Sequence, residues 1–112
     1  MRPRSFLQRN YLTQLENLEN MVCLQFLVLS RNRLSSLQGL SVLPNLLALD
    51  VDHNALADIE SQQLPPSLLY LNCAGNPFDD AVATYMRLFS DVELRTIDGL
   101  DEDAWLEQVC CG

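Results

Sequence analysis

Three residues that could do acid–base or metal chemistry lie close together: Asp50, Asp52 and His53. A histidine paired with a carboxylate activates a hydroxyl only when a nucleophile is held within hydrogen-bond reach, and the sequence offers only Ser30 for that role. A Ca²⁺ ion takes about six to eight oxygen ligands, more than this stretch supplies. We therefore predict that His53 is a surface residue, and we expect no enzymatic activity, catalytic residue, cofactor or metal site.

The four cysteines lack the spacing of a metal site, because Cys23, Cys73, Cys110 and Cys111 include no C-x-x-C pair. Cys73 is predicted to be a reduced, buried apolar residue, which favours a reducing compartment. Residues 1–10 lack the apolar segment of a signal peptide, and no apolar run is long enough to cross a membrane. We therefore expect a cytoplasmic protein.

The chain is built on one stretch that occurs three times. Residues 24–34 read LQFLVLSRNRL, residues 46–56 read LLALDVDHNAL and residues 68–78 read LLYLNCAGNPF, a repeat of 22 residues. A fixed period of this size is typical of solenoids. Within each stretch apolar residues alternate as in a short strand with one buried face. Stacking the strands of successive stretches side by side would give a parallel sheet. The residues predicted to face the core are Leu27, Leu29, Leu49, Val51, Leu71 and Cys73.

The segments on either side differ from these stretches. Residues 1–23 hold a partial N-terminal repeat, with a short edge strand expected at residues 5–7 and no cap before it. Because solenoid ends need a polar cap, we expect either a fragment of a longer protein or a partner that covers this edge. Residues 24–78 are the three repeat strands with their returns, where apolar spacing of three predicts 3₁₀-like turns. Residues 79–112 are the C-terminal cap helix and tail.

In this last segment, Asp79 is predicted to cap a helix N-terminus. Val82, Tyr85, Met86 and Phe89 follow at helical spacing and are expected to cover the open end of the third repeat. Trp105 is interpreted as a packing residue that seals the cap, with an exposed anchor for a partner as the alternative.

The pattern L-x-x-L-x-L-x-x-N-x-L resembles the leucine-rich repeat. The return L-x-x-L-Q-G-L-x-x-L-P-N-L resembles the 22-residue subfamily typified by type-1 protein phosphatase regulatory subunits and axonemal dynein light chains, and the run N-P-F…Y-M-R…L-R-T-I-D-G is similar to its C-terminal cap. The resemblance implies an α/β solenoid with a short parallel sheet on its concave face, 3₁₀ or irregular convex returns and a helical cap. It also implies a ladder in which Asn32, Asn54 and Asn76 hydrogen-bond backbone groups of the adjoining loops.

Strand residues that point away from the core would line the concave face. Aromatic and arginine side chains are common anchors of protein interfaces, and the repeat brings Phe26, Val28 and Tyr70 together. The resemblance implies a non-catalytic protein–protein interaction adaptor or scaffold, in a ciliary axonemal or other cytoskeletal assembly. The alternatives are a regulatory subunit of a type-1 protein phosphatase and a purely structural repeat segment of a larger protein. The predicted protein-binding residues are Phe26, Val28, Arg31, Asp50, Asp52, His53, Tyr70 and Asn72.

The net charge of −8 is unevenly distributed. Residues 1–49 carry five Arg and two Glu, whereas residues 50–112 carry two Arg and 13 Asp or Glu. The acidic half argues against nucleic acid and suits a protein partner with a basic surface, although solubility alone would also account for it. The ending V-C-C-G resembles the two-cysteine tails that are prenylated in Rab-type GTPases. Lipidation at Cys110 and Cys111 is one interpretation, and an accidental pair or a truncation site is the other.

Overall fold

The structure is a computed structural model that describes residues 4–6 and 18–111, with side chains from 18 to 110. Among these residues, five short strands pair in chain order into one parallel sheet. Parallel neighbours need a connection that carries the chain back to the same end of the sheet, which the long segments between the strands provide. The strands are β1 (Arg4–Phe6), β2 (Phe26–Val28), β3 (Ala48–Asp50), β4 (Tyr70–Asn72) and β5 (Thr96–Ile97).

The register from β2 to β4 follows the sequence repeat. Phe26 pairs with Ala48, and Ala48 pairs with Tyr70, so each step is 22 residues. The central residue of each of these three strands points into the core, and Leu27, Leu49 and Leu71 are each 2% exposed. The predicted alternation is therefore confirmed, as is an α/β fold with a short parallel sheet.

The connections between the strands supply much of the core. In the described chain, 3₁₀ turns occur at Leu40–Val42, where the spacing of three predicts one, and at Ser61–Gln63, in the third return, where that spacing is interrupted. Gln62 occupies a position where the repeat would place leucine, and the nearby Leu64 is buried instead. Burying one such side chain stabilises the fold by about 1.5–3 kcal/mol. Fully buried leucines of these connections include Leu34, Leu37, Leu40, Leu43, Leu46, Leu56 and Leu68.

Helix α1 (Ala81–Asp91) follows the third repeat stretch. Its N-cap is Asp80, whose Oδ1 accepts the backbone N–H of Ala83 at 3.1 Å. The prediction of Asp79 as the cap was wrong by one residue, because the two acidic residues are adjacent and sequence alone does not select between them.

The packed face of α1 also differs from the prediction. Thr84 and Leu88 are buried, whereas Val82 and Met86 are 44% and 54% exposed. Tyr85 and Phe89, which the spacing also selected, pack against the core. Polar contacts help set this rotation: Oδ1 of Asp58 accepts from Thr84 Oγ1 at 3.2 Å and from Arg87 Nη2 at 2.6 Å. These bonds tie the helix to the third return.

Two further elements complete the described chain. The sequence analysis did not predict β5, which pairs Thr96 with Tyr70 and extends the sheet by one strand. Helix α2 (Glu102–Cys111) buries Trp105. The Trp105 ring centroid lies 5.9 Å from that of Tyr85 and 5.7 Å from that of Phe89. The interpretation of Trp105 as a packing residue is therefore confirmed. Neither described helix has the length and apolar character needed to cross a bilayer.

The N-terminal strand begins one residue earlier than expected. Ser5 pairs with Leu27, as the 22-residue register predicts, but β1 spans Arg4–Phe6 rather than residues 5–7. Residue 7 and the rest of the partial repeat up to residue 17 lie outside the described residues. The division into 1–23, 24–78 and 79–112 stays a prediction.

Candidate functional site: the outward face of the sheet

The predicted asparagine ladder holds the carboxyl ends of the strands. Nδ2 of Asn54 donates to the carbonyl oxygens of Leu29 and Val51, each at 3.0 Å, and its Oδ1 accepts the N–H of Leu34 at 3.0 Å. One side chain thus bonds its own repeat and the preceding one. Asn76 repeats the arrangement on the next strand, and Asn32 bonds Leu29 at 2.9 Å. The predicted ladder of Asn32, Asn54 and Asn76 is confirmed.

Asp98 makes a further side-chain bond between neighbouring strands, and the sequence analysis missed it. It follows the paired residues Ile97 and Leu71, in a register that steps by 26 residues, so it lies opposite Asn72 and the 22-residue repeat gave no signal for it. Its two carboxylate oxygens accept from the N–H of Cys73, at 2.7 Å, and from the hydroxyl of Tyr85. Burial raises the pKa of the Cys73 thiol to about 12, and burial raises that of Tyr85 above its usual range. Cys73 is therefore a protonated packing residue and not a reactive thiol.

The outward side of β2, β3 and β4 forms a shallow groove of about 220 Å³. Ala48 lies between Phe26 and Tyr70 in the register. Because its side chain is small, the groove stays open at this position, which a larger side chain would fill. Tyr70 is 40% exposed, and its hydroxyl lies 3.4 Å from the donor Nη1 of Arg95. The lining includes Phe26, Val28, Ala48, Asp50, Tyr70 and Asn72.

At the strand ends, the chain makes left-handed turns at Arg31, His53 and Gly75, with φ of 58°, 55° and 71°. Each is followed by a ladder asparagine. Alternation along a strand would separate Asp52 from His53, but the turn brings Nδ1 of His53 to 2.9 Å from Oδ2 of Asp52. The ring of His53 lies over Gly75, where a Cβ atom would come within 2.7 Å of His53 Cδ2.

Asp50 and Asp52 are adjacent carboxyl groups on this face. The N–H of Asp52 donates to Oδ1 of Asp50 at 3.1 Å. Burial, followed by the hydrogen bond that a protonated Asp50 makes to Asp52, raises the pKa of Asp50 to about 6. Burial opposes ionisation of Asp52 as well, but the hydrogen bonds that a protonated Asp50 and His53 donate to it outweigh burial and lower the pKa of Asp52. When Asp50 is ionised, the buried Oδ1 of Asp52 receives no hydrogen bond from the described residues.

The structure brings the predicted binding residues to one side of the sheet. Five of them line the groove, and Arg31, Asp52 and His53 follow at the strand ends. Within residues 18–110, no cluster of three or more His, Cys, Asp or Glu side chains could hold a metal ion. The described cysteines Cys23, Cys73 and Cys110 are free, and Cys110 is exposed. The side chain of Cys111 lies outside the described residues. This face therefore combines an apolar groove with a neighbouring acidic pair, Asp50 and Asp52.

Comparison with known proteins found no match for this chain, either to a family model or to a curated protein.

Proposed function

We propose that the chain is a leucine-rich-repeat solenoid that binds a protein partner through the outward, concave face of its sheet and has no catalytic role. Three observations support the repeat assignment: the strands stack in chain order, their register steps by 22 residues, and asparagine side chains join successive repeats. A repeat protein of this kind presents a rigid, extended surface, which is the usual binding site of such architectures.

The observation that carries the binding proposal is the placement of Phe26 and Tyr70 on either side of Ala48. Aromatic side chains supply large contact areas, and the sheet holds this pair apart with an apolar gap between them. A partner side chain that enters the gap would be desolvated on three sides, as the energetically important centre of an interface is. Tyr70 also keeps a hydroxyl for a polar contact.

The biological setting of the proposal rests on the family resemblance. It favours an adaptor or scaffold in a ciliary axonemal or other cytoskeletal assembly. Regulation of a type-1 protein phosphatase and a purely structural repeat segment remain the alternatives. The partner's identity would select among them.

The test is affinity purification with mass spectrometry from cells, comparing the wild-type chain with a Phe26→Ala/Tyr70→Ala variant. A Val82→Ala/Met86→Ala variant is the matched control, because it truncates two exposed apolar residues of α1. Circular dichroism checks that both variants are folded. We expect the concave-face variant to lose a specific partner that the control retains. Retention of every partner by the folded Phe26→Ala/Tyr70→Ala variant would refute binding through this face.

A further inference from the structure

The acidic pair beside the groove indicates the chemistry of the partner. Asp50 lines the groove, and Asp52 follows just beyond the end of β3, with its backbone N–H bonded to Oδ1 of Asp50. Both carboxyl groups keep part of their side chains exposed, about 20% in the case of Asp52. Two adjacent carboxyl groups beside an apolar groove attract a ligand that carries positive charge and donates hydrogen bonds.

We propose, building on the concave-face function, that the partner is a protein segment that places an arginine or lysine against Asp50 and Asp52. A neighbouring aliphatic or aromatic residue of the same segment fills the gap over Ala48. Arginine suits the pair best, because its planar group offers several donors in a fixed geometry and can bond two carboxylate oxygens at once. The groove supplies apolar contact, and the carboxylates supply orientation.

The surrounding charges restrict where the basic residue can lie. Arg95 borders the groove at Tyr70, and the positive charge of Arg31 acts on Asp52, where it contributes to lowering the pKa. His53 bonds the other oxygen of Asp52. These groups disfavour a cation at the rim and leave the space beside Asp50 as the favourable position. Repulsion of a cation at the rim and its attraction beside Asp50 together would select ligands whose positive charge lies at that position.

The probe is a library of random peptides displayed on phage and selected against immobilised chain. Wild type is compared with Asp50→Asn/Asp52→Asn, with Phe26→Ala/Tyr70→Ala, and with the control Asp79→Asn/Glu93→Gln. The control removes the same charge at exposed residues outside the groove. We expect wild type and control to enrich peptides that combine arginine or lysine with a nearby apolar residue. The Asp50→Asn/Asp52→Asn variant should no longer enrich peptides with arginine or lysine, but it should still enrich peptides with the apolar residue.

A selected peptide is then synthesised with its arginine or with neutral citrulline in that place. Citrulline should weaken binding to wild type by about tenfold, roughly 1.4 kcal/mol, and should have no further effect on Asp50→Asn/Asp52→Asn. Binding of the arginine peptide should also weaken from about pH 7 to about pH 5, because Asp50 is then protonated.

The outcomes separate this inference from the proposed function. Peptides without basic residues that bind wild type but not Phe26→Ala/Tyr70→Ala would overturn the basic-ligand proposal and leave the concave-face function in place. Equal losses from citrulline in wild type and in Asp50→Asn/Asp52→Asn would also overturn it. Peptides that bind Phe26→Ala/Tyr70→Ala as tightly as wild type, or no enrichment by wild type, would contradict both.

Discussion

Oδ1 of Asn76 accepts the backbone N–H of Asn54 at 3.0 Å, although the two residues are 22 positions apart. The same oxygen accepts the N–H of Leu56 at 3.1 Å. Strands of two or three residues offer few backbone bonds to each other, so the ladder amides supply contacts that longer strands would provide. A change at one asparagine therefore acts on two repeats at once.

Replacing Asn54 with Leu should lower the free energy of unfolding by roughly 2–4 kcal/mol, despite the added apolar volume. The substitution leaves the N–H of Leu34 and the carbonyl oxygens of Leu29 and Val51 without this partner. Urea denaturation followed by circular dichroism measures the loss. The control is Asn45→Leu, which removes an exposed bond to the carbonyl of Val22 that water can replace. A similar cost for both variants would contradict a special role for the ladder.

The inward and outward assignments of β3 can be tested with two substitutions at neighbouring positions. Leu49→Ala should destabilise the fold by about 2–5 kcal/mol, because it opens a cavity at a site that is 2% exposed. Ala48→Ser should change stability by less than about 0.5 kcal/mol, since its side chain faces the groove. Thermal and urea denaturation measure both. Equal losses of stability would show that the assignment of Leu49 to the core and Ala48 to the groove is wrong.

The regular part of this structure could be predicted because the sequence repeats. Leu27, Leu49 and Leu71 occupy the same position in each stretch, and a strand register follows directly from such spacing. The ladder was implied by the resemblance to the leucine-rich repeat, and the repeat interval identified the three asparagines that would form it. The outward residues then followed by alternation along the strands.

The features that sequence reasoning missed lie where the repeat ends or where side chains make long-range contacts. Helix α1 is rotated toward Asp58, and no local pattern shows that Thr84 and Arg87 both bond that carboxylate. Strand β5 begins 26 residues after β4, outside the 22-residue interval. Asp98 follows β5 and accepts hydrogen bonds from Tyr85 and Cys73, which the repeat spacing does not indicate because β5 is offset from β4 by 26 residues.

Gly75→Ala should destabilise the fold by about 1–2 kcal/mol, because its φ of 71° is unfavourable for a residue with a Cβ atom. The new methyl group would also come within 2.7 Å of the ring of His53 and displace it from Asp52. The double variant His53→Gly/Gly75→Ala removes this contact and leaves the backbone strain. We expect the double variant to be more stable than the sum of the single changes by about 0.5–1 kcal/mol. Strict additivity, measured by urea denaturation, would show that the ring does not constrain Gly75.

The pKa of Asp50 predicts a pH dependence of stability with a definite sign. Folding raises this pKa from 3.8 to about 6, chiefly because burial disfavours the charged form. The folded state therefore holds the proton more tightly than the unfolded state, and this carboxyl makes the fold less stable as the pH rises from about 4 to about 6. Asp52, whose pKa is lowered, acts in the opposite direction at lower pH. Above about pH 6 the cost of the ionised Asp50 is fully present.

Asp50→Asn should therefore make the protein more stable at about pH 7, by about 1 kcal/mol for one added hydrogen bond. The amide is neutral and can donate to Oδ1 of Asp52, which receives no other bond from the described residues, while its oxygen can still accept the N–H of Asp52. The gain should disappear near pH 4, where Asp50 of the wild type carries its own proton. Urea denaturation at both pH values checks this, with Asp79→Asn as an exposed control that should show no such change. A gain that is the same at both pH values would mean that the added stability does not come from removing the charge of the half-buried Asp50.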